Sequence, residues 1–300
     1  MSCPVVSVIV PSYNHAQFLE QRLESILNQT FQDFELIILD DLSPDASRDI
    51  IEKYRQHPKV SQIIYNEKNS GSTFFQWNKA IFELAQGQFI WIAESDDVAD
   101  IRLLETLVLP MQKNNNIVIS YTQSNRMNSQ DHITGTWFNH TNDLVGGDRF
   151  NQDFTMLGKD YINQYLVYKN TIPNASATVF RSDVYKQVGG ADAKLKTNGD
   201  WDLWFKMLLV GDVFYTSQTL NNFRYHDSSV IARESKLTGR KFKHKQKLYE
   251  YDLLMRQSIE NYIINLNQKH TPAFIMNHKI KLKDARLIKF FAFLDKVFSK

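Results

Sequence analysis

Two pairs of adjacent carboxylates, Asp40-Asp41 and Asp96-Asp97, each follow a short apolar run, and a third such run ends in Pro11-Ser12-Tyr13-Asn14. Adjacent acids at the end of a buried strand repel each other and are costly unless a cation or hydrogen-bond donors share them. A hard divalent cation, Mg2+ or Mn2+, answers that need, because it takes one or two carboxylates and completes its shell with phosphate oxygens and water. Taken alone, Asp96-Asp97 read better as exposed loop acids, with Asp97 or Ser95 capping a helix that starts near Ile101. Taken with the other two strand ends, they outline a pocket for a nucleoside diphosphate. A carboxylate can accept the imide N–H of a uracil or thymine, and an aromatic ring such as Tyr13 can stack on the base. Asp200 stands far along the chain, directly before Trp201-Asp202-Leu203-Trp204.

Positioning these groups requires strands that end together. The first half alternates short apolar runs with helical patterns, as βαβ units of a largely parallel sheet do. Strands are predicted at Val6 to Val10, Phe34 to Leu39, Val60 to Tyr65 and Phe89 to Ala93. Helices are predicted through Phe18 to Leu27, from Ser43-Pro44 as N-cap and first turn through Tyr54, and over Phe74 to Leu84. In open α/β sheets, ligands bind outside the carboxyl ends of the strands, which is where the acids and amides fall. Beyond Tyr121 the pattern weakens. Strand character resumes at Ala175 to Phe180, Ser182 is expected to cap a helix that Gly189-Gly190 ends, and Trp201 to Leu209 reads as a helix. Val213 to Tyr215 and Leu220 to Tyr225 read as two later strands.

The chain has 300 residues, 43% hydrophobic and 23% charged, and a net charge of +2. That excludes general disorder and suits one large α/β domain with an appendage. The charge is uneven: residues 236–300 carry +10 and the remainder −8. The basic region predicts contact with an anionic membrane surface or homo-oligomer contacts, with a plain solvated helical face as the alternative. No nucleic-acid partner is expected. A single cysteine, Cys3, excludes an internal disulfide, and no signal peptide is read at the N-terminus. The cytoplasm, with the basic region at the inner face of the membrane, is the expected location.

At this point the sequence resembles the family 2 glycosyltransferases. The resemblance rests on Val6 to Asn14, Ser25 to Phe31, Phe34 to Asp41, and Ala85-Gln86-Gly87-Gln88-Phe89-Ile90 leading to Asp96-Asp97; it resumes at Asn174 to Phe180 and Gly199 to Trp204. It implies the GT-A fold: a Rossmann-like, mostly parallel nucleotide-binding sheet flanked by helices. Residues 1–235 would form that domain, with 1–121 holding the nucleotide sugar and 122–235 the acceptor, before a basic helical extension over 236–300. It further implies a metal-dependent, inverting transfer of a sugar from a nucleotide-diphosphate donor, UDP-linked, to a glycan or lipid-linked glycan.

Carried over residue by residue, the resemblance makes Pro11, Tyr13, Asn14 and Asp41 base-side donor contacts, and Asp96 a contact to ribose or metal. Asp97 becomes the direct metal ligand. Gly71 and Asn78, in the stretch from Asn69, approach the nucleotide. Arg224 and His226, in Phe223 to Ser229, reach the diphosphate or metal, with Arg233 a weaker phosphate candidate. Ser176 and Trp201 fall on the acceptor side. Asp200 aligns with the general base; a carboxylate in reach of the attacking hydroxyl is chemically sufficient for that task. Gly199 departs from the pattern, which commonly has Glu there, and Asp202 is a rival base whose simpler role is to complement a helix dipole. Two alternatives stand beside this reading: a sugar nucleotidyltransferase, which would need a glycine-rich loop that Pro11 to His15 lacks, and a non-catalytic nucleotide-sugar-binding protein of the same fold.

Overall fold

Val6–Ser12 forms β1 and Phe34–Asp40 forms β2, and every residue of both is buried. Parallel strands covered on both faces have no solvent side to make polar, which is why these segments read as unbroken apolar runs. In the computed structural model, which describes residues 3–195, 197–226 and 241–265, they are joined by β3 (Val60–Tyr65), β4 (Phe89–Ile92), β5 (Val98–Ala99), β6 (Ile117–Asn128), β7 (Ile133–Thr136), β8 (Phe154–Met156), β9 (Thr178–Arg181) and β10 (Asp212–Tyr225). The sheet order is β3-β2-β1-β4-β9-β6-β10-β5, with β7 paired to β6 and β8 to β10. The β3-β2-β1-β4 block and the β6/β10 pair are parallel, and β9 runs antiparallel between β4 and β6.

The helices are α1 (Ala16–Leu27), α2 (Ser47–Lys53), α3 (Thr73–Lys79), α4 (Leu103–Lys113), α5 (Gly158–Tyr161), α6 (Ser182–Gln187), α7 (Gly199–Leu208) and α8 (Lys241–Asn265). One apolar cluster packs α1 and α4 on one face of the sheet. The other face carries α3, α6, α7 and α8. The result is the GT-A architecture, a mixed α/β fold with a mostly parallel sheet.

Several local expectations are corrected. Ser43 is not a helix cap: α2 starts at Ser47, and the Ser43 hydroxyl accepts the Asn14 N–H at 3.0 Å. Ser182 lies inside α6, with Arg181 at the cap, and its N–H bonds the Gln88 carbonyl at 3.0 Å. The two late strands are one, β10, with register shifts at Thr216 to Asn221. The helix after β3 widens from α into a π turn at Ala80–Leu84. Gly189 and Gly190 do end α6, at φ of 86° and 74°. Gly87 is held to its residue by space: a Cβ there would lie 2.4 Å from the Ser7 nitrogen.

The start of the basic extension is part of the core. Met255, Ile259 and Ile263 of α8 are buried in the cluster that also contains Leu203, Trp204 and Met207 of α7. Lys206 of α7 bonds Asp202 at 2.6 Å and Ser258 of α8 at 3.2 Å, so Asp202 is spent on a buried ion pair rather than poised as a base. Among the described residues no helix is long and apolar enough to cross a membrane; Thr271-Pro272 and the apolar stretch at Phe290 to Leu294 lie outside them. Ile259→Ala should lower stability by about 2–4 kcal/mol in chemical denaturation, whereas a detached appendage would leave the midpoint unmoved.

Candidate active site

The carboxyl ends of β1, β2 and β4 lie side by side, and the loops leaving them are conformationally tight. Asn14 after β1 and Leu42 after β2 both adopt left-handed φ values, 60° and 62°, a costly state for residues with a Cβ that persists where surrounding bonds impose it. Pro11 is buried within β1, and Tyr13 and Asn14 are half-buried beyond its end. The Asn14 N–H on Ser43 and the Ala16 N–H on Asp45, at 2.8 Å, tie the two loops together.

The two acids after β2 diverge. Asp40 turns to the Arg48 side chain at 3.3 Å and the Ser43 N–H at 3.2 Å. Asp41 accepts Asn66 at 2.8 Å, Gln76 at 3.0 Å, the Ser70 N–H at 2.9 Å and the Ser70 hydroxyl at 2.8 Å. Its carboxylate therefore organises the loop that leads to Gly71, an exposed residue at φ 76°. Asn66, Ser70 and Gln76 also line an open groove of about 620 Å3. Asn78 lies apart from Asp41, its carboxamide engaged with both backbone groups of Ala191 and with the Tyr185 hydroxyl.

The loop after β4 is the electrostatic centre. Asp96 lies between two imidazoles: His226 Nε2 is 2.9 Å from its Oδ2 and His15 Nε2 is 4.0 Å away. His15 Nδ1 is in turn 2.8 Å from the Ser95 hydroxyl. Burial alone would raise the Asp96 pKa, but the imidazoles of His15 and His226 hold it below its ordinary value. Asp97 is pushed up to about 7 by burial and then by the Asp96 charge. Glu94 is pushed up to about 8 by the same two causes, although Trp77 and Thr73 donate to it at 3.0 and 3.1 Å. Beneath them Arg22 is fully buried, its guanidinium 4.9 Å from the Trp91 ring centre.

Arg224 holds this loop from behind. Its backbone N–H donates to Asp97 at 2.9 Å, and its buried side chain donates to the Asp96 carbonyl at 2.7 Å, Asn128 at 3.0 Å and Gln21 at 2.7 Å. Asp97 is thus neither a helix cap nor part of the metal-capable cluster among the described residues, which comprises His15, Asp96 and His226 with ligand atoms all within 4.8 Å. Ser176 is fully buried, its hydroxyl accepting the Glu94 N–H at 3.1 Å. Ser228, Ser229 and Arg233 lie outside the described residues.

On the far side, Asp200 sits in the first turn of α7. One carboxylate oxygen accepts Asn170 at 3.2 Å and the other the Trp201 N–H at 2.7 Å. Burial raises its pKa to about 7 against both hydrogen bonds. Trp201 is half-buried: its indole N–H bonds the Leu166 carbonyl at 2.9 Å, and the Arg256 guanidinium of α8 lies 5.6 Å from its ring centre. Gly199 has a spatial cause, because a Cβ there would fall 2.5 Å from the Phe74 ring. His15 escaped the sequence reading; an imidazole one residue beyond the Pro11 to Asn14 segment was the available signal.

The fold gathers acids at the carboxyl ends of its parallel strands. The family model described as glycosyl transferase family 2 matches residues 7–189, and the chain belongs to that family. It is 42% identical over 94 residues to TuaG of Bacillus subtilis, a glycosyltransferase assigned to teichuronic acid biosynthesis; the match covers 31% of this chain and 36% of that protein. The Staphylococcus aureus TarS 1–349 structure in complex with UDP-GlcNAc superposes with a TM-score of 0.66 at 20% identity, covering 93% of this chain and 71% of that one. The Pyrobaculum calidifontis mannosyltransferase PcManGT, in complex with GDP-Man and Mn2+, gives 0.58 at 12% identity over 100% of this chain and 89% of that one.

Replacing Asp41 by Ala should free the Ser70 amide and loosen residues 66–72. Hydrogen exchange there should accelerate by tenfold or more, the scale set by about 1.5–3 kcal/mol for a bond to a charged acceptor, and unchanged exchange would contradict the organising role.

Proposed function

We propose that this chain transfers a hexosyl group from a UDP-linked sugar to a glycan hydroxyl, with inversion at the anomeric carbon, in the assembly of a cell-surface polysaccharide. The observation that carries the reading is the meeting of His15, Asp96 and His226, with ligand atoms within 4.8 Å of one another. Family membership supports glycosyl transfer, the nucleotide-sugar complexes of TarS and PcManGT support the donor class, and TuaG supports the pathway class.

Two imidazoles and one carboxylate are a donor set that suits Mn2+ better than Mg2+, which prefers oxygen ligands. His15, Asp96 and His226 would hold the ion, and Asp97, one bond network behind, would keep Asp96 and Arg224 in register. When bound, the ion neutralises charge on the departing diphosphate. Pro11, Tyr13, Asn14 and Gly71 frame the nucleoside, and Asp41 shapes the loop against it. Asn78, Arg224, Ser176 and Trp201 act as supports, since each spends its polar groups on protein partners.

Asp200 serves as the base. As the acceptor oxygen attacks the anomeric carbon, its proton passes to the Asp200 carboxylate and the nucleoside diphosphate leaves from the opposite face. Asn170 and the Trp201 N–H fix the carboxylate's orientation, and burial raises its proton affinity to near neutrality, where a base is most effective.

The ionised form does the work, so kcat should rise with pH through a limb near 7, the value to which burial moves Asp200. Asp200→Asn should cut turnover about 10²- to 10⁴-fold while UDP still binds, as nucleotide titration would register; an unaltered rate would remove Asp200 from the mechanism. Separately, His15→Ala or His226→Ala should weaken Mn2+ binding at least about tenfold, read from the electron paramagnetic resonance of the free ion. Equal Mn2+ affinity in both variants would reject the assigned ligands, and failure to release UDP from any UDP-sugar would reject the donor.

A further inference from the structure

We propose that Arg126, set against the Trp137 ring with Tyr225 alongside, is the anion-reading group of an acceptor subsite, and that the acceptor is a glycan carrying a carboxylate or phosphate group. The proposal rests on the reading of the Asp200 side as the acceptor side.

The guanidinium of Arg126 stands 4.5 Å from the Trp137 ring centre and 5.9 Å from that of Tyr225. Those two rings lie nearly parallel, 21° apart with centres at 6.3 Å, and Phe223 braces both. Arg126 is half-buried, its Nε is sequestered without a hydrogen-bond acceptor, and among the described residues no carboxylate pairs with it. Aromatic faces compensate only part of the cost of removing a cation from water. They also lock the planar fork in place, which is the arrangement that meets a carboxylate or phosphate with two parallel hydrogen bonds.

A second observation concerns the wall beside Trp137. Asn174 is 3% exposed, and neither its carboxamide oxygen nor its nitrogen has a partner; the Trp137 indole N–H also lacks an acceptor. Asn174, Trp137 and His140 border a cavity of about 10 Å3, room for one water-sized group such as a hydroxyl. Buried polar groups left in this state are rare unless a water or ligand completes them.

The subsite borders the strand-end loop, since the Asp97 charge acts on Tyr225, but it opens on the other face of β10. Side chains alternate along β10: Arg224 and His226 turn toward Phe18, while Phe223 and Tyr225 turn toward Trp137. The Arg126 face instead leads to the base, since His140 packs on Trp137 at 4.9 Å, its ring bonds the Asn170 carbonyl at 2.9 Å, and Asn170 holds Asp200. Burial holds the His140 pKa below its ordinary value, and the Lys169 and Arg126 charges add to that against the Asn170 hydrogen bond and the Asp143 charge.

The experiment measures binding to protein saturated with UDP and Mn2+, using three matched disaccharide probes: one ending in a uronate, its carboxyl-reduced neutral counterpart, and one ending in a sugar phosphate. The wild-type chain should favour a charged probe over the neutral one by about tenfold or more, the scale of a charge-assisted bond, and the stronger of the two identifies the anion. Arg126→Gln should erase the preference with UDP affinity unchanged, and Arg126→Lys should retain part of it. Equal binding of all three probes by the wild-type chain would overturn the proposal, as would loss of UDP affinity in a folded Arg126→Gln protein, which would assign the arginine to the donor. Failure of UDP itself to bind the wild-type chain would instead count against the donor reading.

Discussion

Negative charge gathered at the ends of buried parallel strands is the condition that the rest of this structure answers. Glu94, Asp96 and Asp97 follow one strand within four positions, and burial penalises the ionised form of each. Such a loop is tolerable only where donors and cations share the load. Two imidazoles take Asp96, a backbone N–H takes Asp97, and an indole and a hydroxyl take Glu94, with the fully buried Arg22 beneath all three. The same concentration of charge that strains the protein gives a divalent cation a reason to bind.

Chain topology explains how the load is shared. β10, from late in the sequence, pairs in parallel with β6 and delivers Arg224 and His226 to a loop more than a hundred residues earlier. The antiparallel β9 bridges β4 and β6, and so joins the β3-β2-β1-β4 block to the later strands. α8 continues the logic on the opposite face. By packing on α7 and setting Arg256 beside Trp201, it stiffens the helix whose first turn presents the carboxylate.

Gly199 shows how a departure from a family pattern can be steric in origin. Phe74 fills the space where a side chain at 199 would stand, so an acidic residue there would have to displace a buried ring of α3. The contact trades a polar group next to Asp200 for apolar closure between α3 and α7. Asp200 is thereby left in a drier setting, consistent with its raised proton affinity.

Strand positions in the first hundred residues, the edge on which the acids fall, and the candidacy of Asp41, Asp96 and Asp200 were legible from the chain alone. Fully buried parallel strands must be apolar throughout, and their loops must carry whatever chemistry there is. What stayed hidden depended on contacts between distant segments. Ser43 looks like a cap until Asn14 claims its hydroxyl, and the hold of Arg224 on Asp97 comes from β10, more than a hundred residues away. The polar groups of Asn78 and Ser176 look available until Ala191 and Glu94 engage them. His15 looks incidental until His226 arrives beside Asp96. Residue type determines what a side chain can bond, and local spacing determines which edge it reaches. Only the tertiary structure decides which of several competing partners arrives first, because each donor or carboxylate oxygen has few bonds to give and the neighbours that use them come from elsewhere in the chain.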